Sequence, residues 1–418
     1  MQYSKGRKLA ATIGVTLILA SAAGGTSVFN AVVPFLLEGM QVDLTTFMIG
    51  PTVATILSFA MSAIGIKIID MITPKWCMLI GTLCSAGTMY MIGMATSFPL
   101  WIIANVLNGI VLAFATYAAA GGVLAVFYGE DTQKAFGVVG GLAALLIAGW
   151  LALTSTLLAQ MPYPQLFTIY AIAILVIGAI CNIVLIGKTP RHIVKSEADE
   201  APAASGLNSG FTFAETLKKG ASIYCFLIAM FLIAWCASGI TSYSSVYFTS
   251  FGMAATTAAL MLSIYTFTSA ILKLGSGFII KKLGVQKTSY LIYLGFAIGI
   301  VCMLIWSQTQ IFPLAIAGIV LCAFISYSTM IPGLFIPDLF GMKDYTGINS
   351  AGLAGYYLGA VVVLFGLSLV IKALGYFNSF VVLGVAAVVA LLFMLVAVKT
   401  SPIRALKTAS DKEPEPAE

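Results

Sequence analysis

Apolar stretches long enough to cross a membrane recur twelve times along this chain, and that repetition leaves it few folds. They fall near 9–37, 45–68, 77–97, 99–127, 135–159 and 166–187, then near 222–250, 254–280, 288–307, 311–336, 347–371 and 375–398. A hydrocarbon core about 30 Å thick offers no water, so the chain must satisfy every backbone amide itself, and long apolar stretches become helices. Charged residues make up 9% of the 418, against about 25% in a soluble domain. Together these features predict an all-α integral membrane protein with twelve transmembrane helices. The opening residues MQYSKGRK are basic, but no small-residue cleavage site follows the first apolar run, which therefore reads as a permanent span.

A polar, Ala/Ser/Pro-rich stretch divides the twelve into two sets of six. The expected layout is a six-helix bundle over 1–187, a linker over 188–220, a second six-helix bundle over 221–399 and a disordered tail over 400–418. Within the linker, Phe211, Phe213 and Leu217 could share one face of a short helix lying on the membrane surface. Nineteen of the 21 Lys and Arg residues fall on one side of a twelve-span arrangement, Lys372 alone falls on the other, and Lys273 lies within a span. By the positive-inside rule both termini and the linker are cytoplasmic, and the protein sits in a cell membrane. Basic residues dispersed among loops do not make a nucleic-acid surface, despite a net charge of +6. The seven cysteines lie in or beside apolar segments without a paired motif, and His192 stands alone in the linker. Neither a disulfide framework, a metal site nor a cofactor is indicated.

The two halves resemble each other. The stretch 25–40 parallels 239–253, 66–75 parallels 277–286 at an offset of 211, and 127–137 parallels 339–347. An offset near half the chain length points to parallel duplication, with two pseudo-symmetric bundles related by an axis along the membrane normal.

Lys273 interrupts an otherwise uncharged run, roughly 12 Å along a helix from Lys281 and not far from the bilayer midplane. A charge at such depth costs about 2.5–3.5 kcal/mol on insertion scales and faces a cavity or a partner rather than lipid. An anionic substrate is the simplest partner. The structural alternative is a lysine that snorkels toward the interface or bonds backbone carbonyls.

With these features in place, the chain resembles the major facilitator superfamily over all twelve spans. That family carries G-x-x-x-D-x-x-G-x-[RK] between its second and third spans. Here Asp70 and Lys75 are kept, while Ile66 and Thr73 replace the glycines. The looser second copy keeps Gly277, Gly284 and a basic cluster including Lys282, with Lys281 where an acid is usual. By this resemblance the loop residues latch the two domains during gating. The eighth span further resembles the monocarboxylate and oxalate/formate transporters, in which an arginine binds the substrate carboxylate. Lys273, Gly277, Lys281 and Gly284 occupy those positions, with a point charge in place of a planar fork. The first-span lysine of the monocarboxylate branch is missing, and Ser269 stands where that branch has an aspartate. Where the oxalate branch has a second cation, this chain has Tyr356 and Tyr357. One buried cation balances a monoanion better than a dianion.

Candidate substrate contacts around Lys273 are Asn30, Asn108, Tyr117, Tyr243, Tyr247, Tyr265, Tyr327, Tyr356 and Tyr357, whose amides and phenols can hold a carboxylate oxygen. Each taken alone also reads as a buried side chain needing one hydrogen-bond partner. Asp338 reads as a loop cap or a partner for Lys343. No carboxylate stands clearly at mid-depth, so exchange for a second anion is favoured, with proton symport through Lys273 or Glu38 open. The expectation is a monomeric, non-enzymatic secondary transporter for a small organic anion, a monocarboxylate first. The alternative is a proton-coupled multidrug or metabolite exporter of the same fold, against which the fifth span lacks the proline of those exporters.

Overall fold

In the computed structural model, residues 4–95, 97–114, 117–128, 132–187, 210–218, 220–329, 331–341 and 343–403 are described. Among them every regular element is a helix. In chain order these are α1 (Lys5–Met40), α2 (Leu44–Ile72), α3 (Pro74–Gly93), α4 (Phe98–Phe114), α5 (Tyr117–Tyr128), α6 (Thr132–Leu157) and α7 (Tyr163–Ile180). There follow α8 (Phe213–Lys218), α9 (Ser222–Ser250), α10 (Ala255–Thr309), α11 (Phe312–Cys322), α12 (Ile331–Leu339) and α13 (Tyr345–Lys399). A π-helical turn, Cys181–Ile186, prolongs α7, and a 3₁₀ segment, Ala323–Thr329, joins α11 to α12.

Local chemistry sets the ends. Ser4 Oγ accepts the Arg7 amide and caps α1, which stops where Gln41 takes a left-handed conformation. Pro74 opens α3, where its missing N–H is harmless. The π-turn would end in bare carbonyls, but the Arg7 guanidinium donates to the carbonyl oxygens of Val184, Leu185 and Ile186. Two helices run for 55 residues each and turn at a glycine: α10 at Gly284 (φ 72°) and α13 at Gly375 (φ 78°). That conformation is open to glycine and strained for any other residue.

Nine stretches among the described residues are long and apolar enough to cross a membrane. One of them, Gly347–Lys399, turns at Gly375 and has the length of two crossings. Two shorter apolar helical stretches are Phe98–Leu112 and Phe312–Ser328. Large apolar side chains such as Ile183, Leu358 and Leu392 face outward, as lipid contact requires. The protein is a multi-pass membrane protein.

The helices pack into two compact units. The first takes Met1–Asp199, Thr241–Leu274 and Leu364–Tyr376; the second takes Glu200–Ile240, Gly275–Val363 and Phe377–Glu418. In the first, α2 packs on α4, α3 on α4 and α7, and α1 on α6. Phe47 stacks on Trp101 with centroids 4.4 Å apart, and the Trp101 indole donates to the Phe47 carbonyl at 2.9 Å, joining α2 to α4. In the second unit glycines bring backbones together. A β-carbon on Gly359 of α13 would collide with the Phe231 carbonyl oxygen of α9, and one on Gly299 of α10 would fall 2.7 Å from the Gly318 carbonyl oxygen of α11. Lipid tails give helices no hydrophobic reason to associate, so close van der Waals approach takes over.

The linker's end is fastened to the second unit. The Phe211 amide donates to the Phe340 carbonyl at 3.0 Å, and the Phe213 amide to Asp344 Oδ2 at 2.8 Å. Thr212 and Glu215 form a capping box, with bonds of 2.8 and 3.2 Å. Lys343 donates to both Glu215 carboxylate oxygens, at 3.0 and 3.2 Å. Asp344 also accepts the Gly347 amide and so caps α13. Phe211 is buried and Phe213 and Leu217 partly so, which makes α8 a helix docked on the 340–344 loop. Glu215, rather than Asp338, is thus the carboxylate that Lys343 meets.

Two outcomes follow from this packing. Gly359→Ala should cost about 1–3 kcal/mol, because the obstacle is a backbone oxygen. Gly149→Ala, with no atom within 4 Å, should be neutral or stabilising; thermal unfolding in detergent measures both. The Thr212 amide first, then Lys343, holds the Glu215 carboxyl below the usual carboxylate range. Its contribution is therefore present above the unfolded pKa and is lost only as pH falls through the depressed value. Proteolysis within 210–218 should stay slow at mildly acid pH and quicken in Lys343→Gln.

Candidate functional site

Lys273 lies on the first leg of α10, which runs without interruption from Ala255 to the turn at Gly284. At 1.5 Å per residue it sits about 16 Å from that turn and about 27 Å from Ala255. It is thus on the Gly284 side of the leg's centre, and it is partly buried. Its neighbour Leu274 packs on α6, closely enough that a β-carbon on Gly141 would collide with Leu274 Cδ2. Ten residues before the lysine, Ser263 Oγ donates to the Ala148 carbonyl of α6 at 2.9 Å. Two contacts along the leg therefore fix the seam on which Lys273 is presented.

Five other sequence-derived candidates share the first unit with the lysine. Asn30 is partly buried, and its carbonyl accepts Ser245 Oγ of α9 at 2.8 Å, which ties α9 to α1. Asn108 is buried in α4. Tyr243 is fully buried with its hydroxyl donated to the Leu364 carbonyl, so its phenol is already occupied in this structure. Tyr247 is fully buried against Phe251 and Phe248, with centroids at 5.0 and 5.9 Å. Tyr265 is buried on the same leg as Lys273. The Tyr117 side chain lies outside the described residues.

Tyr327, Tyr356 and Tyr357 belong to the second unit. Tyr327 is fully buried within the 3₁₀ segment, whereas Tyr356 and Tyr357 meet edge to face at 5.9 Å on α13. Of the loop residues, Lys75 lies 5.9 Å from the Trp76 ring, Lys282 is exposed, and Gly284 makes the turn already described. The Asp70 and Lys281 side chains and the surroundings of Gly277 lie outside the described residues.

Some polar groups carry no mark in the sequence. The indole N–H groups of Trp150 and Trp235 and the hydroxyls of Ser244, Tyr293 and Ser326 are buried without a hydrogen-bond partner among the described residues. Composition gives no signal for them, since serine and tryptophan inside an apolar span are ordinary. Only the Ser-Tyr-Ser-Thr run before Pro332 marks Ser326 as lying in an unusual segment. For the seam itself, Ser263→Ala should lower stability by about 0.5–1.5 kcal/mol in detergent unfolding, by removing the bond to Ala148. No change would mean that the α6–α10 seam does not depend on it.

The Major Facilitator Superfamily model matches residues 15–336. Among solved structures, a bacterial homolog of the human lysosomal transporter Spinster, in an inward-facing conformation, aligns over 99% of this chain and 100% of its own. Its TM-score is 0.65 at 13% identity. The nucleoside transporter NupG aligns over 94% of this chain and 99% of its own, with a TM-score of 0.71 at 13% identity. At that identity the likeness shows the fold alone. No curated protein sequence matches significantly. With the family match covering most of the chain and the helical architecture agreeing, this protein belongs to the Major Facilitator Superfamily and is a transporter.

Proposed function

We propose that the protein moves a small organic anion, a monocarboxylate first, by alternating access between two six-helix domains, 1–187 and 221–399. The observation behind this reading is Lys273, a cation on a transmembrane leg whose neighbouring residues are apolar, small or hydroxylated. A cation on a membrane-spanning helix is costly to hold, and a carboxylate substrate is an anion chemically suited to it. A lysine contributes a single charge, so a monoanion leaves the site balanced and a dianion leaves it overcharged. Asn30, Asn108, Tyr117, Tyr243, Tyr247, Tyr265, Tyr327, Tyr356 and Tyr357 are proposed as further contacts. The Tyr243 hydroxyl would have to exchange its bond to Leu364 for one to substrate.

Exchange for a second anion is the favoured cycle, because it needs no titrating carboxylate at mid-depth; proton symport is the other cycle compatible with the site. Asp70, Lys75, Gly277, Lys281, Lys282 and Gly284 would latch and release the domains at the cytoplasmic side. A monomer with both termini in the cytoplasm of a cell membrane completes the proposal.

Purified protein in liposomes preloaded with single anions provides the test, with labelled formate, acetate, lactate, pyruvate and oxalate followed in counterflow. A monocarboxylate should exchange, and Lys273→Gln should reduce that exchange by about 100-fold or more, the loss of the charge that the substrate pairs with. Exchange that survives the substitution would make the lysine structural. Movement of a nucleoside or a cationic drug in place of every anion would remove the anion reading and leave the fold.

A further inference from the structure

The path from α11 to α12 is not one helix. Between Cys322 and Ile331 it passes through seven residues of 3₁₀ geometry, Ala323–Thr329, in the sequence AFISYST. Runs of 3₁₀ beyond three or four residues are uncommon, because their hydrogen bonds are poorer than those of an α-helix. Pro332 helps to explain the break: an α-helix running through would need its amide for the Ser328 carbonyl, and proline has none. Such irregular backbone inside a membrane persists where it is packed in protein or lines a site.

The segment also holds a polar group with nothing to bond. Ser326 is 6% exposed, and its Oγ finds no hydrogen-bond partner among the described residues. Serines in these helices ordinarily turn back to a carbonyl three or four residues earlier, as Ser289 does to Val285 at 2.8 Å and Ser307 to Leu304 at 2.7 Å. Ser326 does not. Two residues on, Ser328 is buried and has the Tyr356 phenol of α13 against it. The segment thus carries the Ser326 and Ser328 hydroxyls and its own backbone carbonyls just beyond the C-terminal, negative end of α11. Residues 323–329 contribute no ionised side chain.

We propose that this break is a Na⁺ site, with Ser326 Oγ and backbone carbonyl oxygens of 323–329 as ligands. Uncharged oxygens at an interrupted transmembrane helix suit a hard monovalent cation, and the negative helix end adds to the attraction. A divalent ion would be poorly matched, because the segment has no carboxylate to offset a second charge. The site rests on residues independent of Lys273, so its test and that of the anion reading stand or fall separately.

Thermal unfolding of the full-length protein in detergent, titrated with sodium chloride against choline chloride at equal ionic strength, tests the proposal. Na⁺ should raise the unfolding temperature saturably, by stabilising the folded state alone. Ser326→Ala, which removes an oxygen that bonds no protein group, should shift the Na⁺ midpoint upward by about tenfold or more. Ser326→Thr keeps an oxygen there and should retain the response, so the proposal remains testable should the alanine variant fail to fold. Ser244→Ala, removing another unpaired buried hydroxyl from the unbroken α9, should leave the midpoint unchanged. Equal unfolding temperatures in sodium and choline for the wild-type protein would overturn the assignment, as would an unaltered Na⁺ midpoint in Ser326→Ala.

Discussion

The constraint that governs this molecule is the lack of hydrogen-bonding solvent in the bilayer. Backbone amides must pair within the chain, so regular helix is the default and every departure needs a local remedy. Several departures among the described residues show theirs. At Gly284 and Gly375 the absence of a β-carbon permits the turn. At the end of α7 the Arg7 guanidinium takes the carbonyls that the π-turn leaves over. Between α11 and α12 the remedy is incomplete, and the unbonded Ser326 hydroxyl is what remains.

The same solvent explains the packing. Without water to expel, helices are held by close approach and by a few hydroxyl-to-carbonyl bonds. Gly359 against Phe231 and Gly299 against Gly318 are the first kind, while Ser245 to Asn30 and Ser263 to Ala148 are the second. These bonds are individually small, which suits the proposed alternating access. Among the described residues, charged groups also fasten helix ends: Arg7 on the π-turn, and the Glu215–Lys343 pair with Asp344 on the linker.

The features most legible in the sequence are those that polarity alone decides. Spans of about 20 apolar residues, separated by basic loops, point to the all-helical membrane fold, and the duplicated loop motifs around Asp70–Lys75 and Gly277–Gly284 point to the family. Lys273 is visible because a lone charge stands out in an apolar run. The docking of α8 is only half visible. Thr212 and Glu215 are a readable capping box, but its partners, Phe340, Lys343 and Asp344, lie more than 120 residues away. Nor does the sequence show that a backbone carbonyl takes up the Tyr243 phenol. Hydrogen-bond partners depend on which faces meet, and hydroxyl groups in apolar helices carry no periodic signal of their own.

The most direct measurement is equilibrium binding of carboxylates to the purified protein by isothermal titration calorimetry, with wild type and Lys273→Gln compared. One monocarboxylate per chain should bind, more tightly than a dicarboxylate of similar length, and the substitution should abolish binding while the protein stays folded. Undiminished binding to the lysine-less protein, or a preference for the dicarboxylate, would contradict a site built around one intramembrane cation.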